Sequence, residues 1–166
     1  MRHAFTVDLE DWYHGIPVAR ETKRTAERRL QIGTERLLAL LGRHGVRATF
    51  FVLSPAAREH APLVRRIADA GHDIGSHGLS HDLIYEMSPE RFREETRTSL
   101  RELADCTGRE VRSYRAAYFS ITRRSLWALA VLASESIRYD SSIFPVRNWR
   151  YGIPDWSRRF RRRRRA

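Results

Sequence analysis

The sequence predicts an α/β fold built on about five parallel strands. Two observations carry that expectation. Short apolar runs rich in β-branched and aromatic residues alternate with longer stretches of helical periodicity, and the alternation begins and ends on a strand. The 166 residues, 42% of them hydrophobic, suffice to bury the core of one domain.

The elements follow in order. "HAFTVDL" (3–9) is the first strand. The charged stretch 19–30 reads as an exposed loop or surface helix. "TERLLALLGRHG" (34–45) is a helix with Thr34 as its N-cap and a stop at Gly42 or Gly45. "RATFFVL" (47–53) is a buried strand. Residues 54–71 are helical, with Leu63, Val64, Ile67 and Ala68 on the apolar face and Pro62 dividing the stretch in two. "HDIGSH" (72–77) is the third strand. The next helix starts at Ser88, Pro89 and Glu90 and closes at Gly108. "VRSYRAA" is a strand, "TRRSLWALAVLASES" a helix with Trp127 in the core, and "IRYDSSIF" the fifth strand.

Charge divides the chain unevenly. Seven of the eleven excess positive charges fall in residues 158–166, which read as a solvated arginine-rich tail after a domain spanning 1–157. Such a tail implies at most non-specific attraction to nucleic acid or anionic lipid. The lone Cys106 excludes an internal disulfide and is expected to be a buried thiol. Without a secretory core or an apolar run of membrane-spanning length, the expected location is cytoplasmic.

Asp8, His77, Arg115 and Asp140 all fall at or just past strand ends, where parallel α/β folds gather functional side chains. "VDLEDW" supplies Asp8, Glu10 and Asp11. "DIGSHGLSH" (73–81) supplies His77 and His81, in a stretch whose glycines and serines argue against a helix. Either motif alone means little. Together they offer the two imidazoles and the carboxylate of an open catalytic zinc site, with a spare carboxylate to accept a proton and Arg115 to orient it.

Several ordered motifs then carry a resemblance: "FTVDLEDWYHGIP", "TERLLALLGRHGVRATFFVL", "VRRIADAGHDIGSHGLSH", "YRAAYFSITRRSLWAL" and "RYDSSIFPVRNWRYGIP". The chain resembles the polysaccharide deacetylase family, which shares the NodB homology domain, and within it the branch associated with exopolysaccharide and exosortase loci. The resemblance implies a (β/α) barrel and metal-dependent hydrolysis of N-acetyl groups on a polysaccharide or oligosaccharide. It implies Asp8 as general base and His77 and His81 as ligands of a divalent metal, zinc by ligand type. A carboxylate from the first motif completes the metal site, with Asp11 slightly preferred over Glu10. Arg115 is implied to position the base, the Tyr118 backbone N–H to stabilise the oxyanion, and Asp140 to line the substrate groove.

The sequence departs from that pattern in two places. A barrel of this kind runs to about 250 residues, so the expectation is an incomplete barrel, truncated at its C-terminal end. The family's late histidine, which protonates the leaving amine, has no counterpart after "YGIPDW". Ala117 stands where the family usually has proline, which predicts a looser loop around Arg115 and Tyr118. Two other readings stay open: a related amidohydrolase acting on a cyclic amide or ureide, and a non-catalytic binder of glycan or nucleic acid. Among the other polar and aromatic residues, His72 is expected to satisfy a strand-end backbone group. His3, His14, His44 and His60 are expected at the surface, and Trp12 and Trp149 to offer faces for sugar stacking.

Overall fold

The structure, a computed structural model, describes residues 3–16 and 20–158. Among the described residues, five short strands form one sheet: β1 (Thr6–Leu9), β2 (Thr49–Val52), β3 (Asp73–Ser76), β4 (Ser113–Tyr114) and β5 (Tyr139–Asp140). Their spatial order is their sequence order, and every neighbouring pair is parallel. Parallel crossovers are right-handed, so an order that never reverses sends successive crossovers over the same face. A doubly wound sheet would reverse once. This is the winding of a (β/α) barrel carried through five strands, with β1 and β5 as the edges.

The helices are α1 (Arg20–Thr25), α2 (Leu30–Arg43), α3 (Ser54–Glu59), α4 (Ala61–Asp69), α5 (Pro89–Thr107) and α6 (Trp127–Ser134). One apolar cluster packs Phe50 and Val52 of β2 against Leu63, Val64 and Ile67 of α4 and Leu103 of α5. A second joins Tyr114 of β4 to Phe92 of α5 and Val131 and Leu132 of α6, with Trp127 packed against it. Each such side chain contributes roughly 1.5–3 kcal/mol when fully buried. Local signals set the ends of α5: Ser88 Oγ accepts from Arg91 N at 3.2 Å, and Gly108 closes the helix at φ 69°.

Several expectations need correction, among them the surface position of His14, which is half-buried. Helix α2 begins at Leu30, so Thr34 is no cap. It lies inside the helix, and its hydroxyl donates back to the Leu30 carbonyl at 2.7 Å. Burial of Leu30 draws the first turn in. His60 is half-buried at the break between α3 and α4, where Pro62 occupies the first turn of α4 and its missing N–H costs nothing. Strands β4 and β5 keep only two residues each; after β4 the chain turns away into a 3-10 turn, Ala117–Phe119. Cys106 is half-buried, and its thiol donates to the Ala61 carbonyl at 3.4 Å. His72 accepts from Ala48 N at 3.2 Å, next to β2. Residues 159–166 of the arginine tail lie outside the described residues. Among the described residues no helix is long and apolar enough to cross a membrane.

One close approach shapes the sheet. A Cβ on Gly75 would lie 2.6 Å from the Phe51 ring, so only glycine lets that ring lie across β3. Asp8 is the register partner of Phe51, and the Arg115 guanidinium lies 4.2 Å from the Phe51 ring centroid.

Candidate metal and catalytic site

The loop after β3 carries both histidines. His77 N still donates to the Val52 carbonyl at 2.9 Å, so the first histidine is held by the sheet. Gly78, at φ 90°, then lets the chain turn, and Ser54 N donates to its carbonyl at 3.1 Å. His81 takes the left-handed conformation at φ 64°, which costs a non-glycine residue energy. Its ring packs edge-on against His77, with centroids 5.4 Å apart, and against Tyr118, with centroids 4.7 Å apart.

Glu10 meets these two rings. One ligating atom from each of Glu10, His77 and His81 lies within 4.8 Å of the other two. His77 Nδ1 is 2.8 Å from the Arg115 carbonyl. A carbonyl only accepts, so Nδ1 carries the proton and Nε2 presents its lone pair. Glu10 Oε2 lies 2.9 Å from His81 Nε2, an ion-pair contact, and among the described residues this buried oxygen makes no geometric hydrogen bond. His81 Nδ1 is also buried without one. Burial pushes the Glu10 carboxyl up, but the adjacent His81 holds it below the usual carboxylate range. Burial pushes the His77 imidazole down, against the pull of Asp8 and Glu10. An anionic carboxylate beside a neutral imidazole is the state a metal ligand set requires. The chemistry of the donors and the buried carboxylate oxygen both fit a divalent cation of the zinc type.

Asp11 is engaged elsewhere. Its carboxylate accepts from Arg29 N at 3.1 Å, at the start of α2, and the residue is buried. Arg29 offers that helix no side-chain cap. Asp11 supplies one from across the loop. Glu10, rather than the slightly preferred Asp11, is the acid brought to the imidazoles.

Asp8 stands next to this cluster. Arg115 Nη1 donates to Asp8 Oδ1 at 2.8 Å, leaving Oδ2 without a partner among the described residues. Nη2 of the same guanidinium donates to Thr6 Oγ1 at 3.0 Å and Ser141 Oγ at 2.8 Å. Its flat face lies over Phe51, and the side chain is only 10% exposed, so its geometry is fixed by β1, β2 and the segment after β5. Tyr118 sits at φ 55°, and its N–H makes no hydrogen bond among the described residues. The segment around Ala117 is pinned without a proline: Ala116 N donates to Ser142 Oγ at 2.8 Å, and Ile84 N to Ser120 Oγ at 3.0 Å.

Asp140 accepts from Ser142 Oγ at 2.5 Å and thereby orders the serine that holds Ala116. Surrounding protein pushes its carboxyl up to about 6, opposed by the Ser142 hydrogen bonds and the Arg115 charge. The residue keeps an exposed edge, so solvent moderates that push. Trp12 and Trp149 are both exposed, Trp149 by 90%.

Sequence reasoning missed Thr6, Phe51 and Ser141 around Arg115, Ser142 beside Asp140, and Arg150, whose guanidinium lies 3.9 Å from the Tyr118 ring centroid. Thr6 was within reach, because residues two apart on a strand share a face, and Thr6 and Asp8 are such a pair.

Comparison with known proteins points one way. The family model described as polysaccharide deacetylase matches residues 28–136. A chitooligosaccharide deacetylase of Rhizobium leguminosarum is 29% identical over 75% of this chain and 54% of its own length. A peptidoglycan-N-acetylglucosamine deacetylase of Listeria monocytogenes is 29% identical over 76% of this chain and 24% of its own. A solved Mycobacterium smegmatis structure, assigned to the polysaccharide deacetylases, superposes with a TM-score of 0.74 at 26% identity. It covers 85% of this chain and 50% of that one. The chain spans about half the length of the first relatives it matches.

Proposed function

Since the chain belongs to the polysaccharide deacetylase family, we propose that Glu10, His77 and His81 hold a divalent metal, zinc by donor type, and that the site removes N-acetyl groups from an N-acetylglucosamine-type glycan. The observation that carries this reading is the meeting of one buried carboxylate oxygen with two imidazoles, beside an Asp–Arg pair. When bound, such an ion acts as a Lewis acid and lowers the pKa of water towards neutrality.

The chain's own residues do the rest. Asp8 Oδ2 is free to take the proton of the attacking water and to hand it to the amine as the C–N bond breaks, in place of the missing late histidine, while Arg115 fixes Oδ1 and the plane of the carboxylate. The Arg115 carbonyl holds the His77 tautomer, so one residue orients both base and ligand. The unpaired Tyr118 N–H is the donor for the oxygen that becomes negative as the amide carbonyl is attacked. The Tyr118 ring packs against His81. The substrate polymer is a partner by the same reading.

The test is release of acetate from an N-acetylglucosamine tetramer by the zinc-loaded chain. The wild type should release it, with Asp8→Asn slowing the release by about 100-fold or more and His77→Gln abolishing it. Release that is absent in the wild type, or unchanged in Asp8→Asn, refutes the reading.

A further inference from the structure

The inference concerns Arg150 and rests on the deacetylase reading. We propose that Arg150 makes the site selective for an N-acetylated glycan that bears a carboxylate about one sugar away from the reacting acetamide.

The placement comes first. The Arg150 guanidinium carbon lies 3.9 Å from the Tyr118 ring centroid, and that ring lies 4.7 Å from the His81 ring centroid. The guanidinium is therefore no more than about 9 Å from the ring of a proposed metal ligand, stacked on the residue whose N–H is the proposed oxyanion donor. The Trp149 ring centroid lies 5.9 Å from the same guanidinium carbon, and its exposed face suits a sugar ring.

The charge itself is uncompensated. Arg91, Arg93, Arg97, Arg112 and Arg123 each pair with a carboxylate. Among the described residues no carboxylate pairs with Arg150, although the residue is half-buried. A guanidinium stacked on a ring still presents its N–H groups in plane, and that edge matches a carboxylate with two parallel hydrogen bonds.

The segment carrying it is built, too. Val146 N and Ile153 N both donate to the Phe144 carbonyl, at 2.9 and 3.0 Å, and Ile153 is 1% exposed. Gly152 sits at φ 102°, and a Cβ there would lie 2.2 Å from the Val146 carbonyl oxygen. The rings of Phe119, Phe144 and Tyr151 pack together at its base. Arg150 N donates to Asn148 Oδ1 at 2.9 Å. The arginine is thus held over Tyr118 by the fold of residues 144–153.

The carboxylate has two sources with the same chemistry, a hexuronate and the lactyl ether of a muramate. Calorimetry with the zinc-loaded full chain distinguishes them. The probes are an N-acetylglucosamine tetramer, an alternating N-acetylglucosamine–glucuronate tetrasaccharide, and an N-acetylglucosamine–N-acetylmuramate tetrasaccharide without peptide. At low salt, at least one acidic ligand should bind about tenfold tighter than the neutral one, and the one favoured names the source. Arg150→Gln should bring that ratio close to one. Arg150→Lys keeps the charge without the planar fork and should retain part of it, which guards against misfolding of the first variant. Equal affinity for all three ligands by a wild type that releases acetate overturns the inference alone. So does a preference that survives Arg150→Gln. No binding and no acetate release would overturn both this inference and the deacetylase reading.

Discussion

Glu10 and Asp11 are adjacent acids with different work, and composition cannot tell them apart. Glu10 turns towards His77 and His81, while Asp11 turns back to the Arg29 N–H at the start of α2. Glu10→Gln should weaken zinc binding by at least about 100-fold, beyond the usual cost of losing an outer partner of a ligand. Asp11→Ala should leave zinc affinity near wild type and lower stability by about 1–2 kcal/mol, the loss of a helix cap. Competition with a chromophoric chelator and urea denaturation separate the two effects. His77 adds a pH dependence. Burial lowers its folded pKa, so the unfolded chain binds the extra proton first. The stability that this contributes is present above the unfolded value of about 6.5 and is lost as pH falls through the folded value. Urea denaturation of the metal-free protein should show stability falling below about pH 6.5, and His77→Gln should flatten that slope.

At the scale of elements, a short stretch of sheet seats the catalytic pair. Gly75 of β3 admits the Phe51 ring, and Arg115 lies on that ring while binding Asp8 of β1. Gly75→Ala should therefore cost about 1–3 kcal/mol through overpacking. It should also displace Arg115, read as a larger loss of acetate release than of zinc affinity. Equal losses in both would mean that the glycine serves only the sheet. The helices and strands that carry the site were legible because their signals are local: Ser88 and Gly108 bound α5, and Leu63, Val64, Ile67 and Ala68 mark the buried face of α4. The start of α2 was not, because its cap comes from Asp11, eighteen residues upstream. The short β4 was overextended because an apolar run does not reveal that, after Arg115 N bonds the Ser76 carbonyl, the chain turns into the segment Ala117–Phe119.

For the whole molecule, sequential parallel order gathers the ends of β1, β3, β4 and β5 around one centre. That convergence was legible from the alternation of elements. Arg150 was not, because its position depends on the packing of residues 144–153 against Tyr118, and no periodicity encodes that. Among the described residues no strand pairs with the outer edges of β1 and β5, and a cavity of about 550 Å³ lies beside β1, lined by Val7, Leu9, Leu30 and Leu37. Open edges favour pairing between chains. Sedimentation should show association that rises with concentration, and a monomer throughout would argue that the edges are covered. The most direct measurement of the central claim is X-ray absorption at the zinc edge of the zinc-loaded chain. Two imidazole nitrogens with carboxylate oxygen at about 2.0–2.2 Å, and loss of the oxygen contribution in Glu10→Gln, are the result expected. Zinc that washes out on dialysis, or a shell without imidazole, would contradict it.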